Sequence, residues 1–111
     1  MKIDIFDTNL RDGFQQEGIS PSVKDKIAIA KLIDGLGVSF IEGGWPGASP
    51  KEEEFFETAK SELILKNAKL VSFGSTRKLD LSAKDDPQVK ALVDSGTYYV
   101  CIVGKSSKLH I

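Results

Sequence analysis

The sequence predicts an α/β protein built from about four βα units on a parallel sheet. Strand-like and helix-like segments alternate along the 111 residues, and the strand-like segments start roughly 30 residues apart, a spacing typical of βα units. Each intervening helix implies a right-handed crossover between parallel strands. This pattern leaves two architectures open: an open doubly wound sheet, or half of an eight-stranded barrel.

The first unit pairs a short strand with a helix that begins after a serine- and proline-containing stretch. We expect strand one at Ile3–Phe6, a β-rich run. Ser20-Pro21-Ser22 supplies a hydroxyl that can cap free helix N–H groups and a proline that is tolerated in the first turn. Apolar side chains from Val23 to Leu36 then form one broad helical face, and Gly37 permits the helix to end.

The second unit starts with a strand at Val38–Glu42 and continues into a helix with a clear start signal. Ser49 and Glu52 have capping-box spacing. We expect the carboxylates of Glu52–Glu54 to be solvated at this helix start, where the helix dipole favours negative charge. The apolar residues that then recur on one face are Phe55, Ala59 and Leu63.

The last two strands are expected at Ala68–Phe73 and Tyr98–Val103, which are rich in β-branched and aromatic residues. A third helix begins at Pro87 and ends near Ser95-Gly96. Its apolar face carries Val89, Leu92 and Val93. Lys78–Asp86 is the most polar stretch of the chain, and we expect it to be a loop.

Composition excludes several classes of protein. Fifteen basic residues nearly balance sixteen acidic ones, which argues against a nucleic-acid or membrane-surface partner. No apolar run approaches the roughly 20 residues of a membrane span, and no secretory signal is visible at the start of the sequence. The single cysteine, Cys101, excludes an internal disulfide. We therefore expect a cytoplasmic protein.

Polar side chains follow each predicted strand, at the ends where parallel barrels carry their active sites. Arg11 presents a permanent charge and a planar fork of donors, which could stabilise charge that develops on an enolate or keto oxygen. Asp12 offers a hard oxygen ligand suited to Mg²⁺ or Mn²⁺ and acceptable to Zn²⁺. The alternatives are a surface arginine that pairs with Asp12 or Glu17, and a turn aspartate that bonds its own backbone.

Glu42 lies at the inner end of strand two, where burying a carboxylate is costly unless it is paired. Arg11, on the adjacent strand, is the natural partner, so we predict an ion pair between them. Gln15 could donate and accept near a substrate, and the hydroxyls of Ser75 and Thr76 could bind a substrate carboxylate. The alternatives are a solvent-facing loop amide and turn hydroxyls.

Two other residues receive structural interpretations. Trp45 lies in a loop that Gly43-Gly44 and nearby prolines hold tight, and a tryptophan there more often covers a core than contacts a ligand. Cys101 falls within the fourth strand, where an inert core thiol is expected.

Three motifs carry a resemblance to a known family. The stretch from Asp7 to Gln15, DTNLRDGFQ, resembles the D-T-T-L-R-D-G-x-Q signature of the metal-dependent acyl-CoA lyases and Claisen synthases, and departs from it at Asn9. These enzymes include isopropylmalate, homocitrate and citramalate synthases and hydroxymethylglutaryl-CoA lyase. The loop GGWPGASP at 43–50 and the segment FGSTR at 73–77 are similar to the citramalate-synthase branch. Residues 104–110 resemble that branch's G-K-S-W-D-L-H, with Ser107 and Lys108 replacing tryptophan and aspartate.

The resemblance implies a fold and a reaction. The family's catalytic barrel has eight strands, so residues 1–111 are expected to form one partial domain, the N-terminal half of a (β/α)8 TIM barrel, within a longer protein. The implied reaction condenses acetyl-CoA with a 2-oxo acid, most simply pyruvate, in isoleucine or leucine biosynthesis. Other synthases or lyases of the group are the first alternative, and a non-catalytic fragment or structural subunit is the second. Family enzymes are usually dimers, so a homodimer or a self-associating fragment is expected.

The resemblance also implies residue roles. It makes Arg11 the group that stabilises the enolate or keto oxygen, Glu42 the carboxylate that orients it, and Gln15 a neighbour of the substrate. It makes Asp12 the first ligand of a divalent metal, whose other protein ligands are an H-x-H pair in the family. This chain has one histidine, His110, and no such pair, so we expect the metal site and the general base to be incomplete here.

Overall fold

The computed structural model describes residues 2–15 and 18–106 of the chain. Within these residues strands alternate with helices as predicted. The strands are β1 (Phe6–Asp7), β2 (Phe40–Gly44), β3 (Lys69–Ser75) and β4 (Tyr99–Val103). The α-helices are α1 (Val23–Asp34), α2 (Pro50–Glu62) and α3 (Pro87–Asp94), and a short 3-10 helix, Gly13–Gln15, follows β1.

The strands form one parallel sheet in the order β1-β2-β3-β4. Each strand lies beside its predecessor, so the chain winds in one direction and its helices stay on one side of the sheet. A doubly wound sheet instead reverses its strand order, which places helices on both faces. The sequential order therefore decides between the two architectures in favour of a barrel segment.

The first strand is shorter than expected. β1 covers Phe6–Asp7 rather than Ile3–Phe6, because β2 runs alongside the chain only from Ile5 onward. The carbonyl of Ile5 accepts hydrogen bonds from the N–H groups of Ser39 and Phe40, both at 3.0 Å. Ile3 is β-prone, but no strand of the described residues pairs with it, and it is 75% exposed.

The second and third strands start and end later in the chain than expected. β2 covers Phe40–Gly44 rather than Val38–Glu42, and β3 covers Lys69–Ser75 rather than Ala68–Phe73. The low strand propensity of glycine hides the later strand ends in the sequence. The register between the two strands shifts between Glu42 and Gly44, as in a β-bulge. Such a shift changes the direction of the chain at the end of the strand.

The helices start at the predicted caps. Ser22 and Asp25 form a capping box at α1, and Asp86 caps α3 through the N–H of Gln88. At α2 the predicted box is half formed: the hydroxyl of Ser49 accepts from the N–H of Glu52 at 3.2 Å, but the carboxylate of Glu52 points elsewhere. In the described residues, no helix combines the length and apolarity that crossing a bilayer requires.

One face of the sheet packs against the helices and holds the core. Ile41 of β2 is fully buried there, and Leu92 of α3 packs against Gly74 of β3. The core cluster comprises Leu10, Ile27, Ala30, Ile33, Val38, Ile41, Phe55, Phe56, Ala59 and Ala68. Because strand side chains alternate, every second residue of each strand points away from this core.

The opposite face carries a row of aromatic rings and is open to solvent. The ring of Phe40 lies 6.2 Å from that of Phe6 and 5.3 Å from that of Tyr99. Phe6 and Tyr99 are 44% and 48% exposed. Strand β4 is open on its helix side as well, where Val100 and Ile102 are exposed. In a closed barrel the aromatic face would point into the interior.

Candidate active site

The candidate site lies at the carboxyl ends of β1, β2 and β3, on the face opposite the helices. After β1 the chain makes a tight turn in which the carbonyl of Thr8 accepts from the N–H groups of Arg11, Asp12 and Gly13 at 2.8–3.2 Å. Leu10, only 1% exposed, anchors this turn in the core. The turn therefore holds Arg11 rigidly at the end of the sheet.

Arg11 and Glu42 form the predicted ion pair. The Nε of Arg11 donates to Oε1 of Glu42, and the side chains are 19% and 2% exposed. A carboxylate this buried needs a charged partner, because an unpaired one would be costly to desolvate. The guanidinium carbon of Arg11 also lies 3.9 Å from the centre of the Phe73 ring. Contacts with a carboxylate and an aromatic face thus fix the plane of the guanidinium.

Cys101 lies on the same face of the sheet and is only half-buried, so it is not the fully buried core thiol that was expected. It pairs in register with Phe73 and is half-buried beside the Arg11–Glu42 pair rather than under the helices. Burial raises the pKa of the thiol, the nearby Glu42 carboxylate raises it further, and Arg11 partly opposes the shift. A thiol with a raised pKa carries little thiolate at neutral pH, so low reactivity is still expected.

Trp45 packs against Phe73 at the site and is held by Gln88, a residue that sequence reasoning missed. Its ring lies 5.4 Å from that of Phe73 in an edge-on arrangement at 79°. Its Nε1 donates to Oε1 of Gln88 at 2.9 Å, and Nε2 of Gln88 donates to the carbonyl of Gly47 at 2.8 Å. Gln88 sits in the first turn of α3, where nothing in the sequence pattern distinguishes it from a surface amide.

Lys26 of α1 and Glu52 of α2 contact the β2–α2 loop that carries Trp45. The Nζ of Lys26, a residue only 2% exposed, lies 3.1 Å from Oε1 of Glu52, and Oε2 of Glu52 accepts from the N–H of Trp45 at 3.1 Å. Glu52 is therefore not the solvated helix-start acid that was expected. Burial lowers the pKa of Lys26, and Glu52 opposes that shift. A side chain at position 44 would displace the Glu52 carboxylate from these partners, since a Cβ atom there would lie 1.9 Å from Oε2 of Glu52.

The remaining candidates lie around this centre at different distances from it. Gln15 and Arg11 both line a cavity of about 260 Å³ that also reaches Lys26 and Trp45. Asp12, Ser75 and Thr76 do not line it. Asp12 and Thr76 are exposed, and Ser75 is half-buried at the end of β3.

The expected metal site is incomplete in the part of the chain that the structure describes. Residues 2–15 and 18–106 contain no group of three His, Cys, Asp or Glu side chains that could hold a metal ion. Asp12 stays a candidate for one ligand. His110 lies outside the described residues.

Comparison with known proteins places these features in a family. The HMGL-like family profile matches residues 2–111. The chain belongs to the HMGL-like family. This HMGL-like chain is 54% identical over 107 residues to an (R)-citramalate synthase of Streptomyces coelicolor, covering 96% of the chain and 20% of that protein. It is 51% identical over 110 residues to an (R)-citramalate synthase of Aquifex aeolicus, covering 99% of the chain and 21% of that protein.

Two further matches are to differently named enzymes of lower identity. A 2-isopropylmalate synthase of Shouchella clausii is 46% identical over 67 residues, which cover 57% of this HMGL-like chain and 13% of that enzyme. The crystal structure of the Bacillus subtilis HMG-CoA lyase superimposes with a TM-score of 0.70 at 20% identity, covering 98% of the chain and 35% of the lyase. The predicted fold, half of a (β/α)8 barrel, is thereby confirmed. The chain spans about a fifth of the length of the citramalate synthases that it matches.

Proposed function

We propose that this chain forms the first half of the catalytic barrel of a citramalate-synthase-like enzyme, which condenses acetyl-CoA with pyruvate in branched-chain amino-acid biosynthesis. The observation that carries the proposal is the buried Arg11–Glu42 pair, whose guanidinium is stacked on Phe73 at the carboxyl edge of the sheet. The identity to curated (R)-citramalate synthases over nearly the whole chain supports this branch of the family. The enzyme is proposed to act in the cytoplasm.

Arg11 is the residue to which we assign charge stabilisation. Among the described residues, the hydrogen bond of its guanidinium to protein runs through Nε, and the terminal amino groups remain to meet an oxygen of the substrate. Condensation builds negative charge on an enolate or keto oxygen. A donor whose orientation is fixed in advance stabilises this charge without reorganising during the reaction. Glu42 orients the guanidinium, and Gln15 lines a cavity together with Arg11.

Asp12, Ser75 and Thr76 complete the proposed substrate side of the site. Asp12 would supply one carboxylate ligand to a divalent metal, and further ligands would come from outside the described residues. When bound, Mg²⁺ or Mn²⁺ would polarise the 2-oxo acid as a Lewis acid. Ser75 and Thr76, at the end of β3, would donate hydrogen bonds to the substrate carboxylate. General-base chemistry is assigned to no residue of this chain.

A chimeric enzyme tests the proposal. The segment of the Streptomyces coelicolor (R)-citramalate synthase that matches this chain would be replaced by this chain, and CoA release would be measured with acetyl-CoA and pyruvate. We expect turnover within about tenfold of the parent enzyme, because the two sequences are 54% identical over 107 residues. A branched 2-oxo acid in place of pyruvate tests the isopropylmalate alternative. A folded chimera without activity on any 2-oxo acid would favour the non-catalytic alternative.

The 111-residue chain alone is expected to be inactive. Its described residues do not bring together a complete set of metal ligands. The same thiol-release measurement, with acetyl-CoA, pyruvate and Mg²⁺ or Mn²⁺, would detect activity. Sustained CoA production by the purified chain would contradict this expectation.

A further inference from the structure

The side-chain amide of Gln88 joins two points of the β2–α2 loop. Its oxygen accepts from the indole N–H of Trp45 at 2.9 Å, and its nitrogen donates to the carbonyl of Gly47 at 2.8 Å. Both ends of the amide are thus used, by partners 41 and 43 residues away in the chain. The amide is only half-buried, so water could satisfy it in other loop conformations. These two bonds form only when the loop adopts the observed conformation.

The loop approaches Gln88 as closely as glycine allows. A Cβ atom on Gly47 would lie 2.2 Å from Oε1 of Gln88 and 2.7 Å from its Cδ. The backbone of Gln88 is also fixed, because its N–H donates to Oδ1 of Asp86 at 2.8 Å. Asp86, only 1% exposed, accepts from the N–H of Lys78 at 2.8 Å as well. The backbone and the side chain of Gln88 are therefore both held in place at the start of α3.

A series of side-chain contacts connects Gln88 to the Arg11–Glu42 ion pair. Trp45, held by Gln88, meets the ring of Phe73 edge-on at 5.4 Å. Phe73 carries the guanidinium of Arg11 on its face, at 3.9 Å. A ring that is loosely held can tilt, and a tilted ring would no longer fix the guanidinium plane against its face.

We propose that Gln88 is a positioning residue: by clamping Trp45 and Gly47 it holds the Trp45–Phe73 pair in the orientation on which the Arg11 guanidinium rests. Gln88 itself touches no reacting atom. The catalytic consequence rests on the proposed function of Arg11, whereas the clamp and its effect on Arg11 do not. The two parts can therefore be tested separately.

Nuclear magnetic resonance of the 111-residue chain tests the clamp. Trp45 is the one tryptophan in the sequence, so its indole N–H gives a single resonance. Gln88→Met keeps the size of the side chain but removes the amide donor and acceptor. Hydrogen exchange of the indole should then become roughly tenfold faster, the effect of losing one hydrogen bond.

The Nε–H resonance of Arg11 reports the second half of the proposal. The ring of Phe73 and the hydrogen bond to Glu42 should both displace this resonance from the position of an arginine without these contacts, for which Arg77 serves as an internal reference. In Gln88→Met the Arg11 resonance should move toward that of Arg77. Gln88→Glu keeps an acceptor for the indole but loses the donor to the Gly47 carbonyl, so it should retain part of the displacement. Lys90→Met, on the exposed side of the same helix, should change neither resonance.

The two measurements on Gln88→Met distinguish a failed clamp from a failed positioning role. An unchanged indole exchange rate in Gln88→Met would overturn the clamp, and a faster exchange with an unmoved Arg11 resonance would overturn the positioning role. If Gln88→Met does not fold, Trp45→Phe removes the same hydrogen bond from its other end. In that variant the Arg11 resonance must move in the direction of Arg77 for the proposal to stand.

Turnover of the chimeric enzyme tests the catalytic consequence. Gln88→Met should lower kcat about tenfold and leave the KM for pyruvate nearly unchanged, since a misoriented guanidinium weakens transition-state contacts more than substrate binding. Equal effects on kcat and KM would contradict it. If Arg11→Lys leaves turnover intact, the proposed function of Arg11 fails, whatever the resonances of the Gln88 variants show.

Discussion

The guanidinium of Arg11 lies between the carboxylate of Glu42 and the ring of Phe73, with its central carbon 3.9 Å from the ring centre. The carboxylate fixes one edge of the planar group, and the ring fixes its face. A lysine ammonium has neither an edge nor a face to be held in this way. The arrangement therefore depends on arginine specifically rather than on positive charge.

Arg11→Lys in the chimeric enzyme should lower kcat about 100-fold while changing the KM for pyruvate little, because the lost interaction develops mainly in the transition state. Steady-state kinetics with varied pyruvate measures both. Arg77→Lys is the matched control, since the guanidinium of Arg77 donates to the carbonyls of its own loop. Small, equal changes in kcat and KM for Arg11→Lys would count against charge stabilisation by Arg11.

Lys26→Met should destabilise the chain by about 1 kcal/mol, because Glu52 keeps its charge but loses its cation. Methionine keeps an unbranched apolar stem, but it also removes the contact of the Lys26 ammonium with the face of Phe55, 4.3 Å from the ring centre. Adding Glu52→Gln should restore part of the loss, since a neutral amide still accepts from the loop backbone without needing a cation. Urea unfolding measures each variant. Lys24→Met, on the exposed side of α1, is the control; an equal loss there would contradict a specific role for the buried pair.

Asp34 should make stability depend on pH in the acid range. Burial alone would raise its pKa, but hydrogen bonds from the N–H groups of Lys66, Ala68 and Asn67 outweigh burial and lower the pKa below the ordinary 3.8. A lowered folded pKa means that this stabilisation is complete above 3.8 and is lost as the pH falls below it. Asp34→Asn should therefore be less stable at pH 7 and show a flatter acid limb in urea unfolding. Asp80→Asn, in an exposed turn, should keep the wild-type pH profile.

The open face of the sheet should drive self-association of the isolated chain. Parallel sheets are normally covered on both faces, and here Tyr99 is 48% exposed on the aromatic face. We expect light scattering to show a dimer at micromolar concentration, as two half-barrels close on one another. Tyr99→Lys should shift the equilibrium toward monomer. Tyr98→Lys, outside β4 and 96% exposed, should not. A monodisperse wild-type monomer at these concentrations would contradict self-association.

Much of the fold follows from local sequence patterns. Ser22, Ser49 and Pro87 mark the helix starts, because capping depends on residues close together in the chain. The boundary of β1 could not be predicted, since a β-prone run such as Ile3–Phe6 becomes a strand only where another strand lies beside it. The sequential strand order likewise depends on long-range pairing, which periodicity does not encode.

Some residues of the candidate site could be predicted from the sequence and others could not. The Arg11–Glu42 pair could be predicted because adjacent parallel strands end side by side. Gln88 and Lys26 could not, because each acts through a partner more than 20 residues away, and an amide or lysine on a helix carries no sign of such a partner. The place of Cys101 beside the ion pair could not be predicted either, since its strand has apolar residues on both faces.

The contact between Gly47 and Gln88 also has an evolutionary consequence. With 2.2 Å between a Cβ at position 47 and the amide oxygen at position 88, any larger residue at the first position would push the amide of Gln88 away from the loop. Substitutions at these two positions should therefore be correlated across related sequences. Lineages that lose the glycine are expected to carry a shorter side chain at position 88 and to anchor the indole by other means.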